Sequence, residues 1–325
     1  MTSTITRLAA AFLLLAASLV TAQPAVIVPR VGYLGSGYAS TQTVDAFRDG
    51  LRELGWVDGK NISVDYRFAE SRFERLPALA AELVQLRPSV IVAGPTPPAV
   101  AARNATGTIP IVIWGVADPV LTGLIANPAR PGGNVTGTTF AFGTDLYSKE
   151  LELLKEAVPT LRRVGVLSHS ANPGHVSAVK AVKAAAESLG LSVRIVEVRA
   201  PDEFEAAFDI MVKARAQAVL VVPDSLFGLN AEQLAPVVAK SRLPSIFGTR
   251  SNVEAGGLIS FGPNLANLNR QAAIYVDKIL KGAKPAELPV EQPTKFELVI
   301  NLKTAKSLGV AIPQALLLRA DQTIE

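Results

Sequence analysis

The sequence lacks cysteine entirely and is poor in histidine. The absence of cysteine excludes disulfides, thiol nucleophiles and cysteine-based zinc sites, together with the lipid-attachment cysteine that tethers many exported bacterial proteins. His169 and His175 are the only two histidines, and their separation of six residues suits neither a helical metal pair nor a zincin motif. The sequence therefore predicts no metal and no cofactor.

The chain also lacks a large excess of either positive or negative charge. The 325 residues carry 32 Lys and Arg against 28 Asp and Glu, for a net charge of +4, and these charges are spread without a block of one sign. Such a distribution gives no basic patch for nucleic acid, so we expect no nucleic-acid partner. The 49% of hydrophobic residues is enough to bury a sizeable core.

Only the N-terminus contains a long apolar run, and it is too short to span a membrane. Residues 8–20 form 13 apolar or small residues after Arg7, whereas a spanning helix needs about 20. Val20-Thr21-Ala22 offers small residues for a signal peptidase, so residues 1–22 are predicted to be an export signal cleaved after Ala22. A membrane anchor is the alternative. We expect a soluble periplasmic protein, exported and without a lipid anchor.

Strand-like and helix-like segments alternate from Arg30 onwards, which is typical of α/β folds with parallel sheets. RVGVLSHSANPG, starting at Arg163, repeats RVGYLGSGYAS, which starts at Arg30, so the β-α-β pattern restarts after 133 residues. This repeat predicts two doubly wound, Rossmann-like lobes with ligand loops at the carboxyl ends of their strands. Two such lobes facing each other form a cleft.

The glycine-rich turn at residues 35–40 follows the first strand, where a Rossmann fold would hold a dinucleotide. Ser40 replaces the third glycine of the dinucleotide fingerprint, which argues against a nucleotide. Backbone N–H groups and the side chains of Ser36, Tyr38, Thr41 and Gln42 instead favour an anion such as a carboxylate. Helix capping by Ser40 or Thr41 is the alternative role for those two hydroxyls.

The sequence contains few of the motifs that are typical of enzyme active sites. The sequence contains no G-x-S-x-G elbow and no carboxylate pair in a recognisable catalytic arrangement. His169 follows the first strand of the second lobe, so it either contacts a ligand in the cleft or stands in solvent. We therefore predict that the protein is not an enzyme.

Several longer stretches carry a family resemblance. These are AFRDGLRELGWVDGKNI (46–62), TIPIVIWGVADPV (108–120), DPVLTGLIANPARPGGNVTG (118–137), VEAGGLISFG (253–262) and residues 275–310. In this order they resemble the ABC-transporter substrate-binding family that includes tryptophan-binding proteins. The resemblance implies a type I periplasmic binding-protein fold with a three-crossing hinge.

The same resemblance implies lobe boundaries. We expect one lobe at 30–140 plus 264–290 and the other at 141–263 plus 296–325. The crossings are expected near 141–143, 262–264 and 291–295.

Three site residues follow from the family pattern. Thr96, in the loop GPTPPA, is expected to offer its hydroxyl to a ligand carboxylate or to cap a helix. Asp224, in VVPDS, is expected to hold a ligand ammonium group. Arg250 stands where relatives tend to have an acidic residue and favours an acidic ligand, although a salt bridge with Glu254 is an equal alternative.

Aromatic residues make up only 6% of the chain, yet several fall at predicted strand ends. Tyr38, Trp114, Phe142 and Phe227 are expected to stack on a planar ligand, with core packing as the alternative for Trp114.

Together these features predict the periplasmic solute-binding component of an ABC importer. The protein would act as a monomer, bind an amino acid or an aromatic or other organic carboxylate between its lobes, and deliver it to the permease and ATPase subunits at the inner membrane. A periplasmic sensor that presents its closed state to a signalling receptor is the alternative.

Overall fold

The computed structural model describes residues 28–39, 41–141 and 145–325. The predicted export signal at 1–22 lies outside these residues, and so do Ser40 and Phe142. Along the described chain, strands and helices alternate and build two separate sheets.

The first sheet has five parallel strands in the order β2-β1-β3-β4-β5. Its strands are β1 (Arg30–Gly35), β2 (Ser63–Phe68), β3 (Val90–Gly94), β4 (Ile111–Ala117) and β5 (Val135–Ala141). The helices of this half are α1 (Gln42–Glu53), α2 (Leu76–Gln85) and α3 (Thr96–Ala105).

The second sheet has seven strands in the order β12-β11-β10-β9-β8-β6-β7, with only the β10–β11 pair antiparallel. Its strands are β6 (Arg163–His169), β7 (Ser192–Val198), β8 (Ala218–Val221), β9 (Ser245–Phe247), β10 (Ile259–Gly262), β11 (Glu297–Asn301) and β12 (Gln322–Ile324). The remaining helices are α4 (Asp145–Ala157), α5 (Gly174–Ser188), α6 (Phe204–Lys213), α7 (Ser225–Leu229), α8 (Ala231–Ser241), α9 (Arg250–Glu254), α10 (Leu265–Leu280), α11 (Leu302–Leu308) and α12 (Gln314–Leu317).

Helices cover both faces of each sheet, which explains why the central strands are apolar without alternation. In the first sheet α2 and α3 pack on one face, and α1 and α10 pack on the other. In the second sheet α4, α5, α11 and α12 cover one face, while α6, α8 and α9 cover the other. These are two doubly wound lobes, as the repeat of the β-α-β pattern predicted.

Gly137 lets β5 approach β4 closely. Its φ of +132° lies in the region that L side chains avoid, and an added Cβ would overlap the backbone of Ile113. The sheet needs a glycine at this position because neither the backbone angle nor the space admits another residue.

We propose the lobe boundaries that the family resemblance implies, and helix contacts and strand pairing support them. Helix α10 returns to the first sheet, where Asn269 Nδ2 donates to Tyr33 Oη at 2.7 Å and Trp56 Nε1 donates to Asp277 Oδ1 at 2.9 Å. Strand β11 then pairs with β10 of the second sheet. In the three described ranges, every helix is too short or too polar to span a bilayer.

Candidate functional site

A cavity of about 260 Å³ lies between the two lobes, at the carboxyl ends of the parallel strands. Doubly wound sheets bind ligands at this edge because their loops converge there. The first lobe contributes the segments that follow β1, β3 and β4. The second contributes Asn172, residues 223–225, 228 and 229 around α7, and Thr249 and Ser251 at the start of α9. The volume is slightly below the range of about 300–1,000 Å³ for drug-sized ligands, so it suits a single small molecule.

Two residues that line one side of this cavity carry a buried hydrogen-bond donor without a described protein acceptor. Ser36 Oγ and Trp114 Nε1 are buried, with residue exposures of 3% and 6%, and neither has a partner among the residues that the structure describes. Trp114 Nε1 lies beside the hydroxyl of Tyr33, which accepts a hydrogen bond from Asn269 Nδ2. Buried polar atoms are normally paired, so these donors indicate a ligand acceptor at this position.

Two further hydroxyls retain a proton that can be donated. Burial raises the pKa of Tyr33 above its ordinary value, so its hydroxyl stays neutral and can donate while accepting from Asn269. Thr96 Oγ1 accepts from the Ala117 N–H at 3.0 Å, which leaves the Thr96 hydroxyl proton for another acceptor. Both residues line the cavity.

The N-termini of two helices also meet this side. Helix α1 begins after Thr41, whose Oγ1 accepts from the Val44 N–H at 3.3 Å, and α3 begins at Thr96. Thr41, Thr43, Thr96 and Pro97 all contribute to the cavity wall. A helix N-terminus carries roughly half a positive charge, so together with the donors this wall favours an anion.

Aromatic rings form much of the remaining lining. Tyr33, Phe68, Trp114, Phe140 and Tyr147 contribute, and the cavity-facing end of the first lobe is stabilised by ring contacts such as Tyr33 with Phe68 at 5.8 Å between centroids. Tyr38 stands at the cavity and is half exposed. This lining suits a ligand with a flat apolar portion.

Asp224 lies at the second-lobe wall, but its carboxylate is fully occupied by protein donors. Oδ1 accepts from His169 Nδ1 at 3.1 Å and from the Leu226 N–H at 2.6 Å. Oδ2 accepts from Asn172 Nδ2 at 2.6 Å and faces His175 Nε2 at 3.2 Å. The Asp224 side chain is 0% exposed. Burial alone would raise its pKa, yet the hydrogen bonds from His169 and His175 outweigh burial and hold the pKa of Asp224 far below its usual range.

The backbone fixes the tautomer of His175. Its Nδ1 accepts from the His169 N–H at 2.8 Å, so the ring proton is on Nε2, between Asp224 Oδ2 and the Pro223 carbonyl at 3.3 Å. His169 Nε2 is buried, and no described residue pairs with it. Asp224 therefore joins the loops after β6 and β8 while capping α7.

The lobes contact each other around the cavity. The Phe73 and His169 rings, from opposite lobes, lie 5.3 Å apart at their centroids. A Cβ added to Gly37 would lie 2.8 Å from Leu229 Cδ2, and one added to Gly174 would lie 3.4 Å from Thr96 Cγ2. The lobes are thus in a closed arrangement.

Six of the predicted site residues line the cavity: Ser36, Tyr38, Thr41, Thr96, Trp114 and Asp224. Their contact with a ligand stays a prediction. Phe142 lies outside the described residues.

Four predicted site residues are not part of the described cavity wall, and their contact with a ligand also stays a prediction. Gln42 is the first residue of α1, and only its neighbours Thr41 and Thr43 reach the wall. His169 lies behind Asp224. Phe227 is 1% exposed and packs on Phe204, with ring centroids 5.9 Å apart.

Arg250 is the fourth of these residues. Its Nε lies 2.6 Å from Glu254 Oε1, one helical turn away, and this exposed ion pair is the alternative that the sequence left open.

Sequence reasoning missed several lining residues. Asn172 stands in SANPG directly after β6, and Thr249 and Ser251 flank Arg250 after β9, so the rule of strand carboxyl ends could have identified all three. Phe68 is the last residue of β2, so the same rule could have identified it, whereas Tyr33 is an interior residue of β1 that no such rule indicates.

Comparisons with known proteins agree with this geometry. A sequence model of the family described as ABC transporter substrate binding protein matches residues 31–324. A tyrosine-binding protein of Clostridioides difficile is 28% identical over 264 residues, covering 81% of this chain and 75% of that protein.

Two solved structures extend the comparison. An ABC domain from Streptococcus pneumonia in complex with L-Trp matches with a TM-score of 0.83 and 28% identity, covering 91% of this chain and 99% of the other. The ligand-free, open structure of a Clostridium difficile substrate-binding protein matches with a TM-score of 0.67 and 27% identity, covering 92% and 100%. The higher score against the L-Trp complex accords with the closed lobes.

Proposed function

We propose, from the premise that this chain belongs to the family of ABC transporter substrate-binding proteins, that it binds a small aromatic carboxylic acid between its lobes and delivers it to an importer. The ligand class covers aromatic amino acids and other aromatic acids. The family consists of solute-binding proteins and is not a class of enzymes. We further propose that the protein is exported to the periplasm after cleavage at Ala22.

The observation that carries this proposal is the pair of buried donors, Ser36 Oγ and Trp114 Nε1, at a cavity walled by aromatic rings. The donors match a carboxylate, and the rings match the flat portion of the same ligand. The names of two relatives add support, since one is a tyrosine-binding protein and the other was solved with L-Trp.

Closure of the lobes would couple binding to delivery. The donors Ser36, Thr96 and Trp114 belong to the first lobe, while Asn172 and Thr249 belong to the second. A ligand that contacts both sets stabilises the closed state over the open one by the free energy of the contacts that exist only on closure. The permease then recognises the closed form.

A thermal-shift screen tests the binding proposal. The mature protein is unfolded and refolded to remove carried ligand, and then heated with aromatic amino acids, aromatic acids and short aliphatic acids. A ligand at 100 times its Kd adds about 2.7 kcal/mol, which raises the Tm by several degrees. Stabilisation confined to aromatic carboxylates supports the proposal, and stabilisation by aliphatic acids alone refutes it.

Matched variants locate the site. Ser36→Ala removes the donor at the cavity and should abolish most of the shift, whereas Ser307→Ala removes an exposed hydroxyl of α11 outside the cavity wall and should leave the shift intact. Delivery is tested separately, by asking whether the liganded protein stimulates ATP hydrolysis by its permease and ATPase in proteoliposomes. Absence of stimulation with a ligand that binds would refute the importer role.

A further inference from the structure

We infer that the natural ligand is an aromatic carboxylate without an α-ammonium group. The inference rests on the proposed function and narrows its ligand class, because the cavity offers donors for a carboxylate but no accessible carboxylate for an amine.

Asp224 is the acidic residue placed to meet a ligand ammonium, and its geometry prevents that contact. Three protein donors, from His169, Leu226 and Asn172, hydrogen-bond to the two carboxylate oxygens, and His175 Nε2 lies 3.2 Å from Oδ2 as a fourth contact. Two oxygens accept about four hydrogen bonds, so the carboxylate has no remaining acceptor position. An ammonium group could reach it only by displacing a histidine or Asn172.

Other acidic groups near the cleft do not replace it. Of the lining residues in the part of the chain that the structure describes, Asp224 is the only acidic one. Asp118 lines an adjoining cavity, where its Oδ1 accepts from the Leu121 N–H at 3.0 Å. Glu150 is completely buried in α4 outside both cavities. A bound α-ammonium would therefore lose its water without gaining an ionic partner.

The remaining polarity of the wall opposes a cation. The N-termini of α1 and α3 present partial positive charge, and Trp114 offers an N–H that can only donate, while Ser36 offers a hydroxyl without a described partner. Both side chains are more than nine-tenths buried and line the cavity. These groups stabilise a carboxylate, whereas an ammonium on the adjacent carbon experiences the same positive helix ends at close range.

Matched ligand pairs test the inference by isothermal titration of the refolded protein. The pairs are L-tyrosine with 3-(4-hydroxyphenyl)propionate and L-tryptophan with 3-(indol-3-yl)propionate, which differ only in the α-ammonium group. Tyramine and tryptamine, which lack the carboxylate, complete the set. We expect the deaminated acid of at least one pair to bind more than about tenfold more tightly than its amino acid, and the amines to bind more weakly than the acids.

Variants connect the preference to the residues. Ser36→Ala should weaken binding of the preferred acid by about tenfold or more, because a hydrogen bond to a charged group is lost. Ser307→Ala, a matched change on the exposed surface of α11 and outside the cavity wall, should leave the affinity unchanged.

The outcomes separate the inference from the proposed function. Tighter binding of L-tyrosine or L-tryptophan than of their deaminated partners overturns the inference and leaves the proposed function standing. A loss of that amino-acid affinity in Asp118→Asn would identify Asp118 as the ammonium partner. Binding of none of the acids by a protein that still melts cooperatively refutes the proposed function, and the inference with it.

Discussion

Asp224 provides a sharp test of how the second-lobe wall is held together. Each carboxylate oxygen of Asp224 faces two protein donors. Asparagine has only one acceptor oxygen, so Asp224→Asn can satisfy the two donors at one position and turns its NH₂ group toward the two donors at the other. These donors are either His169 and Leu226 or Asn172 and His175. Loss of two charge-assisted hydrogen bonds at a site with 0% exposure should lower the free energy of unfolding by about 3–5 kcal/mol.

Urea unfolding at pH 7 measures this loss, with Asp209→Asn as the matched control on the exposed surface of α6. We expect the control to change the free energy of unfolding by less than about 0.5 kcal/mol. A loss below about 1 kcal/mol for Asp224→Asn would refute the view that this carboxylate organises the loops after β6 and β8.

The difference should also depend on pH in one direction. The pKa of Asp224 is lower in the folded protein than in the unfolded chain, so its stabilisation is fully present above the ordinary carboxyl pKa of about 3.9. It is lost as the pH falls toward the folded pKa. The stability gap between wild type and Asp224→Asn should therefore shrink below about pH 4, and a gap that widens there would contradict the assignment.

Three more substitutions probe closure and burial. Gly37→Val places a side chain against Leu229 of the other lobe. Calorimetry should therefore show weaker ligand binding with little change in the Tm of the ligand-free protein. An unaltered affinity would mean that the lobes do not close at this point. Phe73→Ala removes the ring contact with His169, worth about 0.5–1.5 kcal/mol, and should weaken ligand affinity severalfold in the same assay. Burial raises the pKa of Glu150, so the folded protein favours the protonated side chain. The free energy of unfolding therefore falls as the pH rises above the ordinary glutamate pKa of about 4.3. Glu150→Gln should therefore raise the Tm at pH 7 more than at pH 4, and an equal effect at both values would contradict this.

The sequence predicted the architecture well because the fold depends on patterns that the chain displays directly. The restart of RVGVLSHSANPG at Arg163 copies the first β-α-β unit, and β6 begins at that residue. The rule that ligand loops follow parallel strands then identified Ser36 and Trp114, and the family resemblance identified Thr96. All three residues line the cavity.

Side-chain direction is what the sequence could not supply. Phe227 and Arg250 each lie in a loop that reaches the cavity, but both are helical residues, and the helix turns one into the core and the other toward Glu254. The Asp224 cluster was missed for a related reason. Its histidines are six residues apart in sequence, and they converge on Asp224 only because β6 pairs with β8.

The central claim is that a ligand carboxylate binds at Ser36 and Trp114 between the lobes, and Trp114 fluorescence tests it most directly. The chain has two tryptophans, and Trp56 donates to Asp277, outside the cavity wall, so Trp56→Phe leaves Trp114 as the sole indole reporter. Titration with an acid that binds by calorimetry should shift or quench the Trp114 emission with the same Kd. Calorimetric binding without any change in that emission would place the ligand elsewhere and contradict the account.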